Sequence, residues 1–190
     1  SRVINCAGPR SKWIAEMVGL KLPVEPRIRA AFVFDCREEL KGQTLPLTID
    51  PSGVHVRTDP PNFLAGAPPV NDSEVDPDDF EVRSEEWEEN IWPVLAHRIP
   101  AFEKIKVTSS WAGHYAYNTL DQNAIIGTCE RLSNFFFCNG FSGHGFQQSP
   151  GVGRGLSELI IYGKYKSLDL TELGYDRVIR NEPFLEKAVI

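Results

Sequence analysis

The segment GFSGHGFQQSPGVGRGL, residues 140–156, carries glycine at 140, 143, 145, 151, 153 and 155 and runs straight into an apolar helical pattern. Glycine takes positive φ readily and lets the backbone lie close against whatever it covers. A helix start adds unpaired N–H groups and the positive end of the helix dipole. Together these features suit a flat group that gains negative charge. Three chemistries compete for the segment. A phosphate loop would need G-x-x-x-x-G-K-[ST] or G-x-G-x-x-G, and neither occurs. A hydrolytic nucleophile at Ser142 would need G-x-S-x-G and an acid–His pair, and GFSG supplies neither. The third is a platform for a flavin ring. Among the polar residues nearby, His144 serves either as a contact to the bound group or as a hydrogen bonder within the loop. Tyr115 and Tyr117, two apart on a strand, read as ordinary strand packing, and Trp111 reads as core.

The rest of the composition narrows the field. The chain has 190 residues, is 42% hydrophobic and has a net charge of −6. It can bury a sizeable core as one domain or as pieces of two. No stripe of Lys and Arg exists to neutralise phosphates, so nucleic acid is not an expected partner. No apolar run approaches the roughly 20 residues of a membrane span. Cys6, Cys36, Cys129 and Cys138 are scattered without C-x-x-C, which fits reduced thiols in cytosol or matrix. His55, His97, His114 and His144 show neither helical i, i+4 pairing nor nearby Cys, so no metal site is expected. The opening SRVINCAG reads as mid-strand, which suggests a native N-terminus and any targeting signal outside this sequence.

Certain elements must position the glycine segment. RVIN (2–5) is a short strand turned by CAGP, and RSKWIAEMVG is a helix capped by Ser11 and closed by Gly19. RIRAAFVFDC, TLPLTI and VHVRT read as strands, the last two joined through the turn DPSG as an antiparallel hairpin. NFLAG is a strand fenced by prolines. Residues 71–90 carry ten acidic side chains against the single Arg83. They read as a solvated loop leading into a helix with Trp87, Ile91 and Leu95 on one side, which Pro93 should end or kink. KIKVTSSWAGHYAYNT, NAIIG and NFFFCNGF are strand-like. The last helix is expected from about Pro150 to Gly163, with Ser149 as N-cap and Pro150 at its first position.

Three motifs then stand together in one order. GFSGHGFQQSPGVGRGLSELI resembles the C-terminal flavin motif of the D-amino-acid oxidase/sarcosine oxidase superfamily. WAGHYAYNTLDQNAIIG is similar to that family's W-x-G…T-x-D…I-I-G segment, and VINCAGPRSKWIA to its V-N-A-A-G-x-W-x segment. The resemblance implies FAD. It implies that Ala7 and Gly8 lie near the phosphate–ribose part, and that Gly143, His144, Gly145, Phe146 and Gln147 pass beneath the isoalloxazine, with His114 also at the cofactor. It further implies hydride transfer from an amine C–H to flavin N5, the imine product being hydrolysed by water. A branch of the family associated with assembly of respiratory complex I is especially similar. That implies mitochondrial residence and complex I subunits or assembly factors as partners beside a small amine or amino-acid substrate.

The family pattern is not met throughout. His114 stands where sarcosine oxidases carry a flavin-linked Cys, so FAD is expected to be non-covalent. Gln147 stands where those enzymes use a Lys to grip the substrate carboxylate, and a neutral hydrogen bond is about half as strong as a charge-assisted one. Gln147 and Tyr117 are the expected substrate contacts. Leu64 and Pro68 stand where the family's oxidases place a Lys and a His near N5, which favours a dehydrogenase over a fast oxidase. No catalytic residue is named. The competing reading is a non-catalytic flavin-containing assembly factor for complex I. The expected fold class is α/β with an α+β insert: the C-terminal part of a Rossmann-like FAD-binding domain interrupted by an antiparallel or mixed-sheet substrate domain. Residues 1–22 and 108–165 fall in the first, 23–107 in the second, and 166–190 form a C-terminal tail. The N-terminal Rossmann β-α-β with its G-x-G-x-x-G is expected to precede this sequence and to cover an otherwise open sheet edge.

Overall fold

The structure, a computed structural model, describes residues 1–37, 40 and 44–187. In chain order the elements are β1 (Val3–Asn5), α1 (Ser11–Glu16), β2 (Val24–Cys36), β3 (Thr48–Ile49), β4 (His55–Asp59) and β5 (Asn62–Gly66). A π-helical turn (Glu86–Ile91) then leads into α2 (Trp92–Arg98), followed by β6 (Ile105–Asn118), β7 (Ile125–Cys129), β8 (Leu132–Asn139), α3 (Gly145–Tyr162) and α4 (Asp176–Arg180). The chain divides into two compact units. One holds Ser1–Arg27, Glu74–Pro77 and residues 115–187, and the other holds the described residues of Ile28–Ser73 and Asp78–His114.

The first unit is built on a three-stranded sheet in the order β1-β8-β7. β1 runs parallel to β8, with Val3 opposite Phe135 and Asn5 opposite Phe137. β7 runs antiparallel to β8. Each face is apolar because successive side chains alternate. Phe135 and Phe137 pack with Ala15, Leu20, Val24 and Tyr175 on one side. Phe136 packs with Val152 and Leu156 of α3 on the other. β1 is an edge strand, and its Val3 and Ile4 are 51% and 45% exposed.

Two helix starts differ from expectation. Ser11 is the first residue of α1 rather than its cap, because a 3-10 turn at Gly8–Arg10 leads in. α3 begins at Gly145, with Ser149 and Pro150 inside it. A proline within a helix removes the hydrogen bond to the carbonyl four residues back. Here the Ser149 hydroxyl donates instead to the Phe146 carbonyl at 2.8 Å, so that acceptor keeps a partner. Gly163 closes α3 at φ 72° as expected.

Residues after α3 pack as part of this unit. Tyr175 stacks on Phe137 at 4.3 Å, and its hydroxyl donates to the Lys21 carbonyl. Leu170 lies so close to α3 that a Cβ on Gly155 would sit 2.5 Å from its Cδ1. Glu158, buried on α3, accepts the N–H groups of Lys166 and Ser167, the Ser167 hydroxyl and the Arg154 guanidinium. The Ser167 N–H and hydroxyl, more than Arg154, hold its carboxyl down to about 2. Arg177 reaches Asp121 at 2.7 Å, and both side chains are buried.

The second unit carries a five-stranded sheet in the order β3-β4-β5-β2-β6. The expected hairpin is present, closed by the Gly53 N–H on the Asp50 carbonyl at 2.8 Å. Its first strand is shorter than TLPLTI. Leu45 still exchanges hydrogen bonds with Thr58, but Pro46 lacks an N–H and interrupts the ladder before Thr48. Phe34 is the centre of the core, stacked with Phe63 and edge-on to Phe102, with Trp87 beside it. Ile91 and Leu95 complete the helical stripe read from their spacing. Pro93 does not end the helix, which continues to Arg98. The π turn just before it widens the ladder, the Trp92 N–H reaching back to the Trp87 carbonyl, where the ring would meet the preceding turn. The acidic stretch is only partly solvated, since Asp72 takes both ends of the Arg29 guanidinium at 2.8 and 2.9 Å.

Two predictions follow the packing of the first unit. Arg177→Ala strands a buried carboxylate, which typically costs about 3–5 kcal/mol; denaturant unfolding of the full-length protein should show it, and a change under 1 kcal/mol would contradict this account. The Glu158 carboxyl is depressed by folding, so its contribution is complete above its ordinary range near 4.5 and is lost as pH falls toward about 2. Thermal melts of Glu158→Gln should therefore lose part of the stability that the wild type retains at neutral pH, and depend less on pH in that acid window.

Candidate active site

The site begins where β1 and β8 end. Parallel neighbours present their carboxyl ends side by side, the place where α/β sheets bind ligands. After β1 the chain turns through Ala7 and Gly8, the latter at φ +56°, and no atom lies within 4 Å of where a Gly8 Cβ would be. After β8 it turns through Gly140, Phe141, Ser142, Gly143 and His144 into α3. Two buried asparagines tie the turns together. Asn139 donates to the Asn5 carbonyl at 2.8 Å, while Asn5 accepts the Ala7 N–H and donates to the Ser11 carbonyl.

The loop's shape is enforced by backbone sterics. Gly143 sits at φ +97°, and a Cβ there would lie 2.5 Å from the Tyr115 ring, so both conformation and packing require glycine. Ser142 occupies the left-handed region at φ 47° without being glycine, a conformation that costs of order 1–3 kcal/mol unless its surroundings hold it. They do. Its N–H donates to the Ala116 carbonyl, and its hydroxyl accepts the Asn118 N–H at 3.0 Å and donates to the Gly140 carbonyl. Ser142 is fully buried with its oxygen committed on both sides, so it is a structural residue and not a nucleophile.

No side chain caps the start of α3. His144 is its N-cap, its N–H on the Phe141 carbonyl at 2.9 Å. The amides of Gly145, Phe146 and Gln147 form the first turn of an 18-residue helix, and no acidic residue stands among them to neutralise the dipole. Phe146 is 92% exposed, and Gly143 and Gln147 are exposed beside it. The other glycines divide by environment. Gly155 is crowded by Leu170, whereas nothing lies within 4 Å of a Cβ built on Gly153.

The structure thus brings Ala7, Gly8, Gly143, His144, Gly145, Phe146 and Gln147 into one unit, on neighbouring strand ends. Tyr117 belongs to the same unit, but its hydroxyl accepts the Gln122 amide at 2.5 Å and the Arg27 guanidinium lies over its ring at 4.1 Å. Tyr115, not Tyr117, packs on the glycine loop. His114 belongs to the other unit, where its Nε2 donates to the Asp79 carbonyl at 2.6 Å and its ring packs on Phe80. Leu64 lies in β5, opposite Val33 and Arg57, and Pro68 packs against Gly53. Asn5 and Asp121 stood within the motifs, but neither they nor Asn118 and Asn139 were read as site residues. The available signal was asparagine at the ends of otherwise apolar strands (Asn5, Asn118, Asn139) and an aspartate in the turn after β6.

The groups present fit a flavin dinucleotide on the structure's own terms. Glycine backbone with open space at Gly8, an uncapped helix start and an exposed aromatic residue are what a flat, anionic-on-reduction ring system and its diphosphate require.

Comparisons with known proteins agree. The family described as FAD dependent oxidoreductase matches residues 1–159. The chain is 43% identical to FAD-dependent oxidoreductase domain-containing protein 1 of Xenopus laevis over 203 residues, covering 100% of this chain and 40% of that protein. It is 29% identical to human mitochondrial sarcosine dehydrogenase over 85% of its own length and 18% of the relative's. The crystal structure of L-proline dehydrogenase from P. horikoshii superposes with a TM-score of 0.82 at 28% identity, over 97% of this chain and 48% of that one. Glycine oxidase from Geobacillus kaustophilus shares the fold at a TM-score of 0.76. The chain therefore spans less than half the length of these relatives. With strand ends, glycine loop and helix start arranged in this way and the family match covering most of the sequence, the chain belongs to the DAO family of FAD-dependent oxidoreductases.

Proposed function

We propose that this chain is the flavin- and substrate-facing part of a mitochondrial FAD-dependent dehydrogenase that oxidises a C–N bond of a secondary or tertiary amine or an N-methyl amino acid. The observation that carries the reading is the uncapped start of α3 beside the strained, fully held loop at 140–144. FAD, when bound, supplies the two-electron acceptor. The protein supplies position and field. The Ala7 and Gly8 backbone would take the phosphate–ribose part. The amides of Gly143, Gly145, Phe146 and Gln147, with His144, would face the ring. A fixed positive dipole there stabilises the charged reduced form more than the neutral oxidised one, and only such differential stabilisation accelerates electron transfer to it.

Substrate orientation falls to Gln147, exposed on the first turn of α3, with the Tyr117 ring edge as a second contact while Gln122 holds its hydroxyl. Gln147 carries no charge, so a substrate carboxylate is gripped less firmly than by an ammonium. Leu64 and Pro68 add no proton donor or acceptor. No covalent tether is expected at His114, whose imidazole is held by the Asp79 carbonyl, so the flavin is released by acid. These same neutral residues favour a second reading, in which FAD is chiefly a structural element of an assembly factor for respiratory complex I, its subunits being the partners.

Three measurements test the flavin seat, and the second of them separates the two readings. A visible spectrum of the full-length protein should show flavin bands that pass to the supernatant on acid precipitation. Anaerobic titration with sarcosine, dimethylglycine and proline should bleach those bands; spectra unchanged by every amine would leave only the assembly-factor reading. Gly143→Ala, which forces a methyl against Tyr115 at positive φ, should purify with little flavin, whereas full flavin content in that variant would contradict the proposed seat.

A further inference from the structure

A pair of thiols stands at the mouth of the same strand ends and takes no part in the site described above. β1 and β8 are parallel and in register through Asn5 and Phe137. Just past the last pair, Cys6 follows the end of β1 and Cys138 is the next residue of β8. Directly opposed residues on parallel strands send their side chains to the same face, and neighbouring strands lie about 4.8 Å apart. That spacing falls within the Cα separation of about 4.4–6.8 Å that a disulfide can span. Cys6 is near enough to act on the Cys138 thiol. Cys6 is exposed and Cys138 half-buried, whereas Cys129 is buried elsewhere in the same unit and Cys36 donates to the Ala101 carbonyl in the other.

We propose that Cys6 and Cys138 form an oxidisable dithiol, an intramolecular disulfide site whose oxidant is hydrogen peroxide. The exposed Cys6 thiolate attacks one peroxide oxygen, breaking the O–O bond, and becomes a sulfenic acid while hydroxide leaves. The Cys138 sulfur then displaces the sulfenic oxygen, which departs as water, and an S–S bond forms. Overall two thiols and one peroxide give one disulfide and two waters. The roles are asymmetric. Burial, reinforced by Cys6, pushes the Cys138 thiol up to about 12, which keeps it protonated and unreactive toward peroxide until its neighbour is oxidised. The bond would join the strand feeding the Ala7–Gly8 turn to the strand feeding the Gly140–His144 loop, holding both turns at one spacing. Reduction by a dithiol reverses it.

The test uses the reduced full-length protein, treated with two equivalents of hydrogen peroxide, enough to carry a single thiol to sulfinic acid, then alkylated and mapped by peptide mass. The expected product is a cross-linked Cys6–Cys138 peptide pair, lighter by two hydrogens, with Cys36 and Cys129 alkylated and the cross-link lost on adding dithiothreitol. Cys138→Ser should divert Cys6 to sulfinic acid, and Cys6→Ser should leave Cys138 alkylated. The proposal is overturned if wild-type Cys6 accumulates as sulfinic acid beside an alkylated Cys138, or if both are recovered alkylated after the peroxide is consumed.

Discussion

The carboxylate of Asp121 is the point on which the site's geometry depends. It is buried at 2% exposure and accepts the Arg177 guanidinium, the Asn118 side-chain amide and the N–H groups of Asn123 and Phe184. A buried ion is tolerable only when its lone pairs are filled and its charge is opposed. Both conditions are met. Through Asn118 the network reaches the Ser142 hydroxyl, and through Ser142 it fixes the left-handed turn in front of α3. A hydrogen-bonded path therefore runs from the last helix to the glycine loop, entirely within one unit.

This path makes physical sense of the loop's composition. Glycine alone would leave the segment free to take many shapes, and each ordered residue costs about 1–2 kcal/mol of backbone entropy. At Gly143 a side chain would collide with Tyr115, and the preceding Ser142 is held by polar contacts on both sides. The amides at the start of α3 are thereby fixed before any ligand arrives. Such preorganisation lets a dipole act on developing charge without spending energy to reorient.

Much of this was legible in the sequence. The strand ends, the glycine segment and the hairpin could be read from alternation and turn residues, and the motif order implied the family. The start of α3 could not be read correctly. Ser149-Pro150 has the composition of a helix entry, and only the Ser149 hydroxyl's bond to Phe146 explains how proline sits inside. Residues 166–190 read as a tail because their partners are far away in sequence. Tyr175 meets Phe137, Leu170 meets Gly155 and Arg177 meets Asp121, and no local periodicity announces such pairs. Tyr115 and Tyr117 share a face by alternation, so the spacing could not say which of them packs on the loop, as Tyr115 does against Gly143.

The central claim is that the amides opening α3 receive the flavin. Hydrogen exchange of the full-length protein, with flavin removed and then restored, measures those amides directly. Slower exchange at Gly145, Phe146 and Gln147 on reconstitution, with the already buried Ser142 unchanged, is the predicted result. Exchange at 145–147 that is the same with and without flavin would contradict it.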